Sequence, residues 1–403
     1  MLKVFIGFSL CLAGQSPLEL TKGLDLETNK SIERNINFWI EIYSKYTSKE
    51  GLVHDAKYID HVYEVVQLDG NPITDAKIIQ RAKQKWKALL LSVHRKRFKP
   101  ESMTVDEKKV YDLFSDVKES NRFLDAAYRK RLRFQQGQRD QFLEGLIQSG
   151  RYIQAMEAIF KREGLPSVLT RLPFVESSFN LKARSKVGAS GVWQFMRSTG
   201  RLYLRITDAV DERNDPLLAT EAAAKLLRLN YESLGTWPLA ITAYNYGRKG
   251  IMRAVRRVGV DDLHELIMDF RSRSFGFASS NFFAEFMAAT EVDQHTEKYF
   301  GKIVRDRPLE FIEMTVFDYI ELRQLCRWLG LSVDQIRDLN AALSASVYQG
   351  RLLVPAGYRL RVPYYPTLGI KEDAYGELMR RYSEIPGVYK LKRQRYMSLK
   401  KRS

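Results

Sequence analysis

The 403-residue sequence has few of the residues that crosslink small domains or bind metals: two cysteines and five histidines. Cys11 and Cys326 lie far apart, and no HExxH or CxxC pattern occurs. These absences exclude a disulfide-rich scaffold and a local zinc signature. Cys326 stands among apolar residues, which predicts a buried core thiol. We expect no metal and no cofactor.

Long hydrophobic runs are also lacking. The apolar run from Val4 to Ala13 follows Lys3 and is too short to span a bilayer, but it fits the hydrophobic part of a secretory signal. Residues 1–16 are therefore expected to be a signal peptide, which predicts export to the periplasm or cell envelope. Lipid attachment at Cys11 and a buried N-terminal strand remain alternatives. Leu10 before Cys11 is larger than the residue that lipid attachment normally requires.

Acidic residues are outnumbered, 48 against 65 Lys and Arg, which gives a formal net charge of +17. Such a charge favours an anionic polymer as partner: nucleic acid, anionic lipid or an acidic wall. Nine basic residues and no acid lie between Ala76 and Pro100, on a predicted helix. Its basic face is either simply solvated or binds an anionic polymer. The basic tail, residues 366–403, could likewise contact an anionic wall or membrane surface. No nucleic-acid motif occurs, so no nucleic acid is expected.

Apolar spacing predicts a mainly α chain. Residues 17–140 are predicted to form a helical N-terminal region, with a helix over about 31–63 interrupted only by a connection at 51–57. A capping box, Thr104 to Glu107, predicts a helix from Val105 to about Phe123. Residues 141–305 are predicted to form a second helical domain. In it, Asp215 and Pro216 start a helix that Gly235 ends after about Leu234.

Glu176 is the candidate for chemistry. It follows the apolar helix that runs through Val168, Leu169, Leu172 and Val175, and a loop of small residues, Gly188 to Gly191, comes after it. Burial disfavours the charged carboxylate and raises its pKa, so the group would keep a proton to donate near neutral pH. The aromatic run Val192 to Phe195 could offer flat faces to sugar rings. Together these features are typical of a glycan-cleaving site.

Three spaced motifs resemble the family 1 lytic transglycosylases over roughly residues 140–300. They are Glu176-Ser177-x-Phe179, Ala183-x-Ser185-x-x-Gly188-Ala189-x-Gly191-x-Trp193-Gln194-Phe195-Met196, and Ala243-Tyr244-Asn245-x-Gly247. The resemblance implies a goose-lysozyme-like helical domain and peptidoglycan as partner. It also implies cleavage of the β-1,4 bond between N-acetylmuramic acid and N-acetylglucosamine without water, which leaves a 1,6-anhydromuramic end.

The same resemblance assigns roles to single residues. Glu176 becomes the only general acid and base. Six residues become substrate-binding: Ser185, Gln194, Phe195, Met196, Tyr244 and Asn245. Ser185 could instead cap a turn, Tyr244 could be a core aromatic, and Asp215 is better explained as a helix cap. Phe282 stands where the family commonly has a tyrosine, whose hydroxyl Tyr246 could replace.

Residues 306–365 are similar to a LysM carbohydrate-binding module. A strand at 311–314, helices at 319–329 and 332–340, and a strand at 357–363 are predicted, although the usual Gly-Asp-Thr turn is missing near Asp318. Glycan binding and a purely structural cap are both open. For the whole chain, the alternatives to a lytic transglycosylase are a non-catalytic peptidoglycan-binding or scaffolding protein and a muramidase-type hydrolase.

Overall fold

The computed structural model describes residues 32–128 and 130–363. The predicted signal peptide at 1–16, Cys11 and the basic tail at 366–403 lie outside these residues. Helices dominate the described chain, which confirms the mainly α prediction. No helix among the described residues is long and apolar enough to cross a membrane.

The first third of the chain mixes helices with a sheet. Its elements, in order, are α1 (Glu33–Ser44), β1 (Glu50–Asp55), β2 (Val62–Gln67), α2 (Pro72–Lys96), α3 (Val105–Leu113), α4 (Arg122–Ala127), β3 (Leu132–Gln136) and α5 (Arg139–Ser149). The three strands are antiparallel in the order β2-β1-β3. The predictions of a wholly helical region over 17–140, of a helix over 31–63 and of a connection at 51–57 were therefore wrong.

The physical reason is the burial of β1 on both faces, which removes the alternation that marks a half-exposed strand. His54 and Asp55 are both fully buried there. Arg131 neutralises Asp55 with hydrogen bonds of 2.9 and 3.0 Å from its Nε. Because His54 and Asp55 are polar, this buried strand resembles a loop when only the sequence is considered.

The capping box at Thr104 and Glu107 is confirmed: the Thr104 backbone N–H donates to the Glu107 carboxylate at 2.7 Å. The helix that it starts ends at Leu113, earlier than predicted. The basic helix α2 packs an apolar stripe that includes Leu90 and Val93 into a core shared with α3 and α4.

The middle of the chain is helical. It comprises α6 (Ile153–Arg162), a 3-10 turn (Ser167–Arg171), α7 (Leu172–Ser177), α8 (Arg197–Gly200), a 3-10 turn (Glu212–Asn214), α9 (Pro216–Leu234), α10 (Trp237–Tyr246), α11 (Arg248–Val258), α12 (Leu263–Asp269), α13 (Phe277–Gln294) and α14 (Thr296–Phe300). The predicted start of α9 is confirmed, because the Asp215 carboxylate accepts from the N–H groups of Leu217 and Leu218 at 2.9 and 3.0 Å.

The last described segment has the predicted βααβ order, with one further short helix. It comprises β4 (Phe311–Thr315), α15 (Leu322–Leu329), α16 (Val333–Leu339), α17 (Ala345–Tyr348) and β5 (Arg359–Pro363), and β4 pairs antiparallel with β5. Asn340 is fully buried and bonds to the backbone of Ile336 and Arg361. Cys326 is 2% exposed, which confirms the predicted core thiol.

Contacts divide the described chain into two compact units. One contains residues 149–225 and 306–363, and the other contains 32–148 and 226–305. In the first unit, Ala209 and Val210 share a core with β4, β5 and the helices between them. A buried ion pair, Arg361 to Asp215 at 2.7 Å, joins its two stretches of chain. The domain boundaries that follow the chain in order, including 141–305, stay predictions.

Candidate active site

Glu176 lies in the last turn of the short helix α7. Its neighbours Leu172 and Phe174 are fully buried. The helix ends because Ser178 and Phe179 turn left-handed, with φ of 49° and 56°. This conformation costs a non-glycine residue about 1 kcal/mol, and it is held by burial of the Phe179 ring, 5.2 Å from that of Phe174. The sequence thus stops the helix directly after the carboxylate.

Glu176 is only partly accessible to water. Burial raises the pKa of its carboxyl from the ordinary 4.5 to about 8. Among the residues that the structure describes, no hydrogen bond or charge offsets this burial. The group is therefore mostly protonated at neutral pH, which is the state that a general acid needs.

The nearby acids of the same unit form ion pairs, although burial also raises the pKa of Glu212. Asp211 pairs with Arg213 at 2.7 Å, Glu212 with Arg205 at 3.6 Å, and Asp215 with Arg361 at 2.7 Å. Each has a structural partner, and Asp215 also caps α9 as predicted. Glu176 is the carboxylate in this part of the described chain that is buried without such a partner.

The loop from Ala183 to Met196 is held by its own backbone. Ser190 pairs with both Arg184 and Phe195. The Ser185 hydroxyl accepts from the Ala189 N–H at 2.8 Å, so it caps the turn. The Gln194 side-chain amide donates to the carbonyl of Gly191 at 2.9 Å. Ser185 and Gln194 thus shape this loop in the structure, and their substrate-binding roles stay predictions.

Arg213 organises the loop, and the sequence did not reveal its role. Its side chain is buried and donates to the carbonyls of Gly188 and Phe195 at 2.8 and 2.9 Å, while Asp211 neutralises it. Five guanidinium donors in a fixed fork suit such a branched set of acceptors. Only the clustering of charges from Asp211 to Asp215 could have indicated it, since the acceptors are backbone atoms.

Gly191 packs directly against the backbone of Arg213 in the 3-10 turn Glu212–Asn214. It has φ of +77°, and a Cβ atom there would lie 1.8 Å from the Arg213 carbonyl oxygen. We expect Gly191→Ala to destabilise the protein by about 3 kcal/mol or more and to lower activity, because both the backbone angle and the space are unavailable. Thermal unfolding measures the first effect. Gly188→Ala is the control: Gly188 also has positive φ but open space around it, so its loss should be near 1 kcal/mol.

The aromatic rings of the run Val192 to Phe195 are buried and not exposed to solvent. Trp193 is fully buried, donates its indole N–H to Thr220 at 2.8 Å and stacks on Phe160. Phe195 is 3% exposed, so the expectation that these rings offer faces to a sugar was wrong. Met196 is 41% exposed. The substrate-binding roles of Phe195 and Met196 stay predictions, but the Phe195 ring itself does not offer a face to the substrate.

Tyr244 and Asn245 lie near the C-terminal end of α10, which Gly247 closes with φ of +88°. The Asn245 side-chain oxygen accepts from the Ser279 hydroxyl of α13 at 2.8 Å, so the amide is fixed in orientation. Phe282 of the same helix is 3% exposed and packs as a core residue. The Tyr246 hydroxyl bonds to Ser272 and Ser274 at 3.3 and 2.8 Å.

Comparison with known proteins identifies the segment that contains this site. Residues 153–267 match the family described as Transglycosylase SLT domain. Over 189 residues, 46% of this chain, the sequence is 28% identical to membrane-bound lytic murein transglycosylase D of Escherichia coli K12. The chain spans only 41% of the length of that relative. All seven predicted site residues fall within the matched segment.

Two solved structures also resemble the chain. One is an inactive mutant of the lytic transglycosylase Slt from Pseudomonas aeruginosa, with a TM-score of 0.31 and 14% identity over 71% of this chain and 38% of that one. The other is the 70 kDa soluble lytic transglycosylase of Escherichia coli, with a TM-score of 0.27 and 18% identity over 58% and 32% of the two chains. These scores are low, so the two structures carry no argument about this chain.

Proposed function

We propose, from the premise that residues 153–267 are a transglycosylase SLT domain of the family 1 lytic transglycosylases, that this protein cleaves peptidoglycan strands without water. The bond broken is the β-1,4 link from N-acetylmuramic acid to N-acetylglucosamine. The observation that carries the proposal is the buried Glu176 carboxyl, whose pKa is about 8. Its position in the first motif of the matched segment supports the same role.

In the proposed reaction, protonated Glu176 donates its proton to the glycosidic oxygen, and the bond from that oxygen to the anomeric carbon breaks. The resulting carboxylate then takes the proton of the C6 hydroxyl of the same muramic residue. The C6 oxygen attacks the anomeric carbon and closes the 1,6-anhydro ring. Proton and electron pairs balance without water, and Glu176 ends in its starting state.

This chemistry needs one carboxyl group, whereas ordinary glycosidases place two on opposite sides of the bond. The ion pairs of Asp211, Glu212 and Asp215 support the single-carboxyl proposal, since each of these acids already has a structural task. Positioned acid and base catalysis contributes roughly 10²- to 10⁴-fold. Orientation of the muramic residue must supply much of the remaining acceleration.

The pH profile of kcat/KM should fall on its alkaline side only. We expect kcat/KM to fall as pH rises through about 8, because Glu176 must start protonated and its pKa is about 8. No second ionised carboxylate is required, so no falling limb should appear towards lower pH until the protein unfolds. Initial rates on purified peptidoglycan between pH 5 and about 10 measure this. A bell-shaped profile centred below pH 7 would contradict the single-carboxyl proposal and favour a muramidase-type hydrolase.

The envelope is the proposed location, since the substrate is there and the relative is described as membrane-bound.

We also propose that residues 306–363 help to position the site, whether or not they bind glycan. Their core includes Ala209 and Val210, and Arg361 is paired with the cap of α9. This sharing of a core favours the structural role.

A non-catalytic scaffold is the alternative function, and it is suggested by Phe282. If the missing tyrosine hydroxyl limits the rate of cleavage, Phe282→Tyr should raise turnover.

A further inference from the structure

Residues 226–305 contain a cavity of about 690 Å³ that no motif predicted. We call it the arginine pocket, because five of its lining side chains are arginines: Arg253, Arg256, Arg257, Arg271 and Arg273. The first three come from one face of α11, and the last two from the segment after α12. All five side chains are exposed, and five positive charges around one cavity give it a positive potential that attracts anions.

None of the five arginines forms an ion pair with a carboxylate of the described chain; Arg271 donates only to the backbone carbonyls of Ile267 and Phe270. A second cavity, of about 410 Å³, differs in this respect. Its cations are paired, Arg131 with Asp55 and Lys57 with Glu119. The cations Arg131 and Lys57 of the second cavity are thus neutralised by the protein. Those of the arginine pocket are available to a ligand.

The pocket also presents neutral donors. The hydroxyls of Tyr246, Ser272 and Ser274 form a bonded cluster with distances of 2.8 to 3.3 Å. Tyr246 comes two residues after Tyr244, at the end of the helix that carries the third family motif. The pocket therefore borders the helix whose residues Tyr244 and Asn245 the family resemblance assigns to substrate binding.

We propose that the arginine pocket binds the carboxylates of the stem peptides that peptidoglycan carries on its muramic residues. The inference rests on the proposed function and names the part of the substrate that this surface recognises. Arginine forks suit carboxylates, and several arginines spread around one cavity suit several carboxylates along a chain.

The second cavity favours a peptide over a phosphate polymer. It shares Phe270, Arg271 and Ser272 with the arginine pocket, so one extended ligand could reach both. Its lining carries both signs of charge, with Lys57 and Arg131 beside Glu119 and Asp125. A stem peptide has amino as well as carboxylate groups and matches this mixture.

The kinetic test uses the full chain and the double variant Arg253→Gln/Arg256→Gln, whose side chains are exposed and should not disturb folding. The substrates are peptidoglycan strands with their stem peptides and the same strands stripped by an amidase. We expect the double variant to lose about tenfold in the ratio of kcat/KM between the two substrates. The matched control is Lys161→Gln/Lys225→Gln, which removes the same charge from exposed positions outside the pocket. An unchanged ratio, or an equal change in the control, would overturn the proposal.

A binding test separates this proposal from the proposed function. Calorimetry on the Glu176→Gln full chain uses the free stem tetrapeptide, its carboxyl-amidated form and inorganic pyrophosphate as probes. Binding of the tetrapeptide that is lost on amidation and in the arginine double variant supports the pocket even if no cleavage is ever observed. Pyrophosphate binding that matches or exceeds the tetrapeptide would overturn the proposal in favour of a phosphorylated ligand.

Discussion

Replacing Glu176 by glutamine should lower peptidoglycan cleavage by about 10²- to 10⁴-fold, to the limit of detection in a standard assay. Glutamine keeps the size of the side chain but can neither donate the proton nor take one back. Cleavage rates on purified peptidoglycan measure the effect. The matched control is Glu232→Gln on α9, an exposed carboxylate that should cleave at the wild-type rate. Residual activity above one tenth of wild type would exclude Glu176 as the acid.

The same substitution should stabilise the protein above about pH 5, so that a loss of activity can be distinguished from a loss of folding. The pKa of Glu176 is about 8 when folded and near 4.5 when unfolded. Between these values the folded state holds a proton that the unfolded chain has released, so wild-type stability falls as pH rises. The slope is at most about 1.4 kcal/mol per pH unit and less for a partly exposed group. The melting temperature of Glu176→Gln should therefore exceed that of wild type increasingly from pH 5 to 8.

Replacing Arg213 by alanine should have the largest effect on stability, about 3–5 kcal/mol. The change leaves the carbonyls of Gly188 and Phe195 without their donor and Asp211 without its partner. The loop that follows Glu176 would lose its fixed shape, so cleavage should fall with stability. Denaturant unfolding measures the free energy, and cleavage rates below the unfolding temperature measure the second effect.

Arg213→Lys separates charge from geometry. Lysine keeps the attraction to Asp211 but cannot reach both carbonyls with a rigid fork. We expect a loss of about 1–3 kcal/mol, between wild type and alanine, because one buried acceptor stays unsatisfied. Equal stability of wild type and alanine variants would contradict the role given to Arg213.

The helices that carry the site could be predicted because their signals are local. Asp215 and Pro216 start α9 and Gly235 ends it, and each acts through its own side chain or backbone angle. The position of Glu176 at the end of an apolar helix follows from the same kind of local pattern, although Ser167–Arg171 form a 3-10 turn and not, as predicted, the start of that helix. Its raised pKa could be anticipated from that pattern, because burial is the cause.

Features that depend on distant partners could not be predicted. The strand β1 is buried on both faces and carries Asp55, whose partner Arg131 lies far along the chain. Trp193 is buried against Phe160 and donates to Thr220, and the Phe195 carbonyl accepts from Arg213. The pairing of Arg361 with Asp215 joins residues that are far apart in sequence. None of these contacts produces a periodic pattern of residues in the sequence, so composition and spacing alone do not reveal them.

The central claim, a single carboxyl group that uses the C6 hydroxyl in place of water, is tested most directly by product analysis in heavy-oxygen water. Mass spectrometry of the muropeptides released by the wild-type chain should show 1,6-anhydromuramic ends, lighter than reducing ends by one water and free of the heavy isotope. The Glu176→Gln chain should release none. Reducing ends that carry heavy oxygen at the anomeric carbon would contradict the account and establish a hydrolase.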